Sequence, residues 1–556
     1  MILDTIDALI LYAKYHLGLE DNLDQIYFRN LLLEELNLEK PNAEFDYSRE
    51  EEVKKLSVPD VLINELKTYL VEELHYSDKE AELKYVKLMG ILTPRPSVVT
   101  HKFQDIYREK GDQEALDYLY NLSIKNYYFQ KTNVDKNIVW KTDFDDKNIE
   151  ISINLSKPEK NNKDIAKMLS KPKGDDEKYP KCLLCLENLG FKGTSTHPAR
   201  ENIRVIPLNL ANEEWYLQYS PYGYFKKHCI VFSKKHENMV INRNTFQSLT
   251  DFVTLFPSFF IGSNADLPIV GGSILTHEHY QGGEHLLPIM YSKPKFEFKI
   301  NLFDDIKLYS LDWYNTCLLV ESKSQEHVIE VASRILESWR EYDDIENDIY
   351  HETNGTKHNT ITPSCRKVGD TYYLYLILRN NRCDETYPEG IFHAHPEYHH
   401  IKKEGIGIIE AMGLFILPAR LVRQKEEIKT CLKENLNDQE ILTRFSGLDT
   451  FLDMIHELKH NYNEKTIEKE INTYIENVCK NILINTATFK PTEKGEKGLK
   501  KFIEGISLWQ SKWWKQILLT YLKKNQLTIL IQVVDLKSAE IILTITMDCA
   551  WLLIVL

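Results

Sequence analysis

Gly271-Gly272-Ser273-Ile274-Leu275-Thr276-His277-Glu278-His279-Tyr280-Gln281-Gly282-Gly283 is the stretch that decides how this chain reads. It sets two histidines and a glutamine at alternate positions. Alternate side chains of an extended strand share one face, so His277, His279 and Gln281 are expected to point together. The glycine pairs on either side leave room for a backbone or a ligand to come close. A neutral imidazole can attack phosphorus, and an amide can then donate to the phosphoryl oxygens without adding charge. A carboxylate in place of Gln281 would repel the phosphate. The pattern predicts nucleotidyl transfer through a histidine. The plainer alternative is that both histidines hold metal or sit in a polar core.

Upstream, Cys182-Leu183-Leu184-Cys185 is a CxxC. Thiolates at this spacing bind one metal from a tight turn. A redox pair and two buried cysteines are the other readings, and no thioredoxin-like context surrounds the motif. Two further ligands would close a tetrahedral zinc site, and His228, His236, His277 and His279 are the candidates. With one histidine of the pair on the metal, the other stays free to react.

The 556 residues suffice for two to four domains, with 43% hydrophobic and 27% charged residues as in ordinary soluble proteins. A net charge of −14 argues against a broad nucleic-acid surface. Nine irregularly spaced cysteines do not form a secreted disulfide framework. The acidic N-terminus, Met1-Ile2-Leu3-Asp4, lacks the basic region of a signal peptide. The cytoplasm is the expected location.

Apolar spacing of three and four predicts helices over residues 1–130, with Thr93-Pro94-Arg95-Pro96-Ser97 marking a helix boundary. Ile149 to Leu155 alternates as a half-buried strand does. Residues 156–179 read as a solvated helix or linker of mixed charge. From 180 to about 425, strand runs such as Cys229–Phe232 and Tyr372–Leu378 alternate with helical runs such as 327–341, which predicts an α+β core. Residues 426–505 read as helical again. The last sixteen residues, Ile541–Leu556, are apolar but too short for a membrane span, so no membrane partner is expected. A short echo of the histidine pair, His393-Ala394-His395, follows about 116 residues later and suggests two related half-units.

On these residues the chain resembles the galactose-1-phosphate uridylyltransferases, of their second, bacterial type. Further matching segments are Leu88–Pro94, Tyr179–Asn188, His197–Arg204, His358–Pro363 and Gly390–Arg420. They run in chain order over roughly residues 1–505. The resemblance implies two fused histidine-triad-like half-units with antiparallel sheets, at 131–300 and 301–425. Helical regions flank them at 1–130 and 426–505, and 506–556 is an extension without a family counterpart. It implies exchange of UMP between UDP-glucose and galactose 1-phosphate by a ping-pong reaction, in galactose metabolism. By position His279 resembles the nucleophile and Gln281 the residue that supports the uridylyl-histidine. Cys182, Cys185, His236 and His277 resemble zinc ligands, with His228 as the rival to His236. Asn264 resembles a phosphate contact, and Ser273 and Thr276 are rival candidates for the place of the first type's phosphate-binding serine. Arg200, Asn202 and Arg204 are candidates for the nucleotide, and Lys402, Lys403 and Glu410 for the hexose. The dimeric first type suggests a homodimer.

The chain also departs from the first type. Glu278 stands between the histidines where that type has proline. His393 and His395 match half of its second metal site, but no histidine stands upstream near Leu378, which leaves that site incomplete. Two other functions compete. One is a dinucleoside polyphosphate phosphorylase or hydrolase, passing the nucleotidyl group to phosphate or water. The other is a non-catalytic zinc scaffold, in which Gln281 and the glycine pairs have no task.

Overall fold

Ten antiparallel strands form the central sheet of the computed structural model. The structure describes residues 2–155 and 179–508, apart from positions 20, 143, 145, 146, 273, 301, 302 and 461. It also describes strands at 529–530, 542–547 and 550–555. Ser273, the charged stretch 156–178 and, toward the end of the chain, residues 509–528 and 531–541 therefore lie outside the described residues. The chain divides into two compact units, 1–496 and 497–556. The described strands of the second unit pair antiparallel.

The first 130 residues fold as helices, among them Ile2–Tyr12, Asn22–Glu35, Asp78–Leu92, Pro96–Lys110 and Asp112–Lys125. Thr93-Pro94-Arg95 ends one helix and Pro96 opens the next, because the residue before a proline is pushed out of the helical region. Ser77 caps Asp78–Leu92 with a capping box: its hydroxyl accepts from Glu80 N while the Glu80 carboxylate accepts from Ser77 N.

A small side sheet comes next. It contains β1 (Ile138–Lys141) and β2 (Glu150–Asn154), completed much later by β15 (Leu414–Pro418). The large sheet follows: β3 (Ile206–Leu210), β4 (Glu213–Tyr219), β5 (Cys229–Ser233), β6 (Phe260–Ser263), β7 (His279–Gly283), β8 (Pro294–Phe298), β9 (Lys307–Leu311) and β10 (Cys317–Ser322). After a two-stranded hairpin of β11 (Glu352–Thr353) and β12 (Thr356–Lys357), β13 (Asn359–Val368) and β14 (Thr371–Asn380) complete it. β15 (Leu414–Pro418) then joins β2 in parallel.

The spatial order is β3-β4-β5-β7-β6-β13-β14-β10-β9-β8. Each half repeats one pattern. Three strands meander, a helix follows (Arg243–Leu255 or Gln325–Arg340), and two more strands return so that the last pairs with the third. The halves meet at β6 and β13 through Gly262–Ser364 and Ile261–Cys365. The fold is thus α+β with two half-units of the same antiparallel topology. The histidine echo occupies a different place from the one it suggested. The strand equivalent to β7 is β14, which carries no histidine, and His393 and His395 lie in the loop beyond it.

The reading of the alternating stretch at 149–155 as half-buried differs from what is found. β2 is buried along its whole length, not half-buried. Its polar residues face other protein: Glu150 accepts from His285 Nε2 (2.6 Å) and Lys141 Nζ (2.8 Å). Glu150 and Ser152 also line a cavity of about 360 Å³ bounded by Tyr120, Phe129, Tyr224 and Phe225. The apolar side, Ile149, Ile151 and Ile153, joins the largest core. That core includes Phe260 from β6, Tyr375 and Ile377 from β14, and the helices between Ile408 and Leu483.

Candidate active site

β7 carries the site, and the glycines around it explain how the chain packs there. A Cβ on Gly282 would lie 2.2 Å from the Phe260 carbonyl, and one on Gly262, the cross-strand partner of Gln281, 2.3 Å from Ile408 Cδ1. Only glycine lets β6, β7 and the turn at 405–411 approach so closely. The sequence places His277, His279 and Gln281 on one strand face, but the strand begins at His279. His277 precedes it and turns its ring into a separate cluster.

That cluster contains Cys182, Cys185, His236 and His277, whose ligand atoms all lie within 4.8 Å of one another. Cys182 Sγ is 3.6 Å from Cys185 Sγ and 3.3 Å from His277 Nδ1, and Cys185 Sγ is 3.1 Å from His236 Nδ1 and 3.7 Å from His277 Nδ1. A tetrahedral ion with bonds of about 2.0 Å to nitrogen and about 2.3 Å to sulfur would have edges of about 3.3–3.8 Å. His277 Nε2 donates to the Ser233 carbonyl at 2.7 Å, so Nδ1 is the bare nitrogen that faces the sulfurs. Leu184 N donates to Cys182 Sγ, and Asn188 Nδ2 donates to the carbonyls of both cysteines, which shapes the knuckle. Burial, with the adjacent Cys182 sulfur, pushes the Cys185 thiol up to about 12. A cation among the sulfurs is what would release that proton. The donor set and spacing fit a metal ion. It is the one such cluster among the described residues.

His279 is 6% exposed. Its Nδ1 donates to the His277 carbonyl at 2.8 Å. That bond fixes the tautomer and leaves Nε2 as a lone pair, with no hydrogen-bond partner among the described residues. Burial pulls the ring's pKa down to about 4, so it is neutral near pH 7. Gln281, two residues on, has its Oε1 3.1 Å from Nε2 of buried His228. His228 is therefore remote in role from the cysteine cluster it was a candidate for: it bonds the glutamine.

Asn264 is buried between the halves. Its Oδ1 accepts from Ile408 N at 2.8 Å, and a Cβ on Gly272 would fall 2.4 Å from its Nδ2. Lys402 and Glu410 are both buried and form an ion pair at 3.0 Å, Lys402 also donating to the Ile416 carbonyl. Lys403 is exposed, 3.8 Å from Glu389, and Thr276 is exposed too. Arg200 lies over the Tyr128 ring, 5.5 Å from its centre. Asn202 and Asn126 exchange bonds with each other's backbone. Arg204 donates to the carbonyls of Thr93, Pro94, Glu201 and Ile203. Asn202 and Arg204 thus tie the helical region to β3, which leaves their donors occupied.

Arg379 carried no expectation from sequence, and it acts together with His393 of the echo. Arg379 is fully buried on β14 and donates to the Ile406 carbonyl, while His393 Nε2 accepts from Ile406 N. Together they hold the loop that presents Glu410. Apolar β14 gave no sign that its last arginine turned inward. His393 and His395 do not converge on a shared ligand: His395 Nε2 donates to the Ile391 carbonyl.

The family model for the galactose-1-phosphate uridyl transferase N-terminal domain matches residues 36–238. A galactose-1-phosphate uridylyltransferase of Fusobacterium nucleatum is 40% identical over 519 residues, 91% of this chain and 99% of the relative. Those of Caldanaerobacter subterraneus (42%, 88% and 95%) and Bacillus subtilis (38%, 88% and 96%) are similarly close. Among solved structures, yeast Ap4A phosphorylase Apa2 covers 60% of this chain at 9% identity and a TM-score of 0.28, a likeness too low to argue from. Identity at this level, sustained over almost the full length of several relatives, makes the chain a member of the galactose-1-phosphate uridylyltransferase family.

Proposed function

We propose that the protein is a cytoplasmic enzyme that exchanges UMP between UDP-glucose and galactose 1-phosphate. The observation that carries the reading is His279: a neutral imidazole with Nδ1 tied back to the chain, Nε2 unengaged, and an amide two residues along the same strand face.

The Nε2 lone pair attacks the α-phosphorus of UDP-glucose. The bond from that phosphorus to the bridging oxygen breaks, and glucose 1-phosphate leaves with the electron pair. The substituted ring keeps its Nδ1 proton and gains positive charge, which the His277 carbonyl stabilises at 2.8 Å. Gln281 donates to the non-bridging oxygens. A phosphate oxygen of galactose 1-phosphate then attacks the same phosphorus, the N–P bond breaks, and the imidazole is restored with UDP-galactose formed.

Family membership supports the hexose side, and the buried Lys402–Glu410 pair supplies a cation for phosphate and a carboxylate for sugar hydroxyls. Cys182, Cys185, His236 and His277 would hold zinc. When bound, it would lock His277 and hence the carbonyl that orients His279. Asn264, poised at the seam of the halves, is the phosphate contact this reading favours.

The test is to incubate the full chain with UDP-glucose alone and weigh it intact. An added UMP on wild type, absent from His279→Ala, is the expected result. A folded, metal-loaded wild type that gains no mass would overturn the ping-pong route and leave the phosphorylase or scaffold readings.

A further inference from the structure

We propose that His228 is a positioning residue for the transfer: it decides which end of the Gln281 amide faces the phosphoryl group. The inference rests on the transfer chemistry above and extends it to a side chain that touches no reacting atom.

His228 stands just before β5, two residues from Ile230, the cross-strand partner of Gln281. Side chains two apart share a face, which brings its ring beside the amide. The ring is 1% exposed and held between Tyr224, stacked at 5.1 Å, and Phe225 at 4.6 Å. Its backbone is pinned as well: His228 N donates to the Phe225 carbonyl, and Ser220 N donates to the His228 carbonyl. Nε2 meets Gln281 Oε1 at 3.1 Å, and Nδ1, also buried, has no partner.

These contacts settle the proton. If Nδ1 carried the hydrogen, a buried N–H would stand without an acceptor, which is the costlier orphan. With the hydrogen on Nε2, the imidazole donates to Oε1 and only a lone pair is left unmet at Nδ1. Burial, which drives the ring's pKa down to about 4, keeps it from taking a second proton near pH 7. The Gln281 oxygen is thereby committed to His228, and its NH2 group is left to point elsewhere. That orientation matters because the two ends of an amide are opposite in effect. The NH2 end binds phosphoryl oxygens and the oxygen end repels them. A glutamine without this anchor would spend part of its time turned the wrong way.

The experiment measures single-turnover uridylylation of the full chain by UDP-glucose, with metal content measured alongside. Wild type must first show the adduct on His279; its absence would remove the proposed function and this inference with it. Given that adduct, His228→Phe is expected to slow its formation by ~10- to 100-fold, short of the ~100- to 1,000-fold typical of losing a donor outright. The double variant with Gln281→Ala should be no slower than Gln281→Ala alone. His228→Gln, whose amide places a donor near the Nε2 position, should regain most of the rate. His228→Asn, equally polar but with its donor near the Nδ1 position, should not. The last pair decides the matter should the phenylalanine variant not fold. A wild-type rate in His228→Phe, multiplied losses in the double variant, equal rates for the Gln and Asn variants, or loss of metal without His228 would each overturn the assignment.

Discussion

His277 does three things at once. Its Nδ1 faces the cysteines, its Nε2 donates to Ser233, and its carbonyl accepts from His279. His279 therefore inherits its tautomer from the backbone of the Cys/His cluster. Because burial holds His279 near 4, the rate of uridylylation should stay level from about pH 8 down to about pH 5.5 and fall only toward 4. Quenched-flow rates across that range check it; a midpoint near 6.5, the ordinary imidazole value, would contradict it. Glu201 gives the opposite sign. Burial raises its carboxyl to about 7, and one of its oxygens is unpaired. A folded pKa above the unfolded one stabilises fully at low pH and is lost as pH rises through 7. Glu201→Gln removes that loss, so its stability relative to wild type should climb between about pH 4.5 and 7 and then level off. Denaturant melts at several pH values read this directly.

Elements show where local pattern sufficed. The capping box at Ser77 and the proline boundary at Thr93–Pro96 are local chemistry, and the helices end where those residues dictate. Ser77→Ala should cost about 1 kcal/mol. At Gly262, β6, β13 and the turn at Ile408 converge, and a methyl there would meet Ile408 Cδ1 at 2.3 Å and Ser364 Cβ at 2.7 Å. Gly262→Ala should therefore cost about 1–3 kcal/mol and disturb the 405–411 loop, measured as a lower melting midpoint. The cysteine pair was legible because its spacing is itself a metal-binding geometry, and the histidine strand was legible only from His279 on, since His277 turns into the cluster instead. β2 was misread because alternation records which residues are polar, and Glu150 and Ser152 turn theirs toward a cavity. Arg204 stood among the nucleotide candidates, since a sequence cannot show that Thr93 and Pro94 offer it carbonyls from about 110 residues away. His228 was visible as a histidine near the site, and only the β5–β7 register revealed its partner.

At the scale of the molecule, the Cys/His cluster joins the CxxC knuckle to His236 just after β5 and His277 just before β7, 51 and 95 residues further along the chain. Cys185→Ser should abolish metal binding and lower the melting temperature by several degrees, as expected for losing a cross-link that folding itself assembles. Metal analysis and calorimetry of the full chain check both, and an unchanged metal content would show that the ion sits elsewhere. No helix among the described residues is long and apolar enough to cross a membrane. The α+β class and the pairing of half-units followed from sequence, but the echo that suggested the pairing did not mark equivalent strands.

The sheet is drawn twice from one pattern, yet only the first drawing carries a histidine and a glutamine on its returning strand. On the proposed function, β7 must satisfy packing, tautomer and phosphate together, while β14 answers mainly to packing, with a single inward arginine. The two strands should thus differ in their tolerance of change. A saturation scan would find β7 nearly frozen and β14 free to trade one aliphatic residue for another. For an engineer, that same proposal makes the second half the editable copy: the surface on which sugar preference would be rewritten while β7 is left untouched.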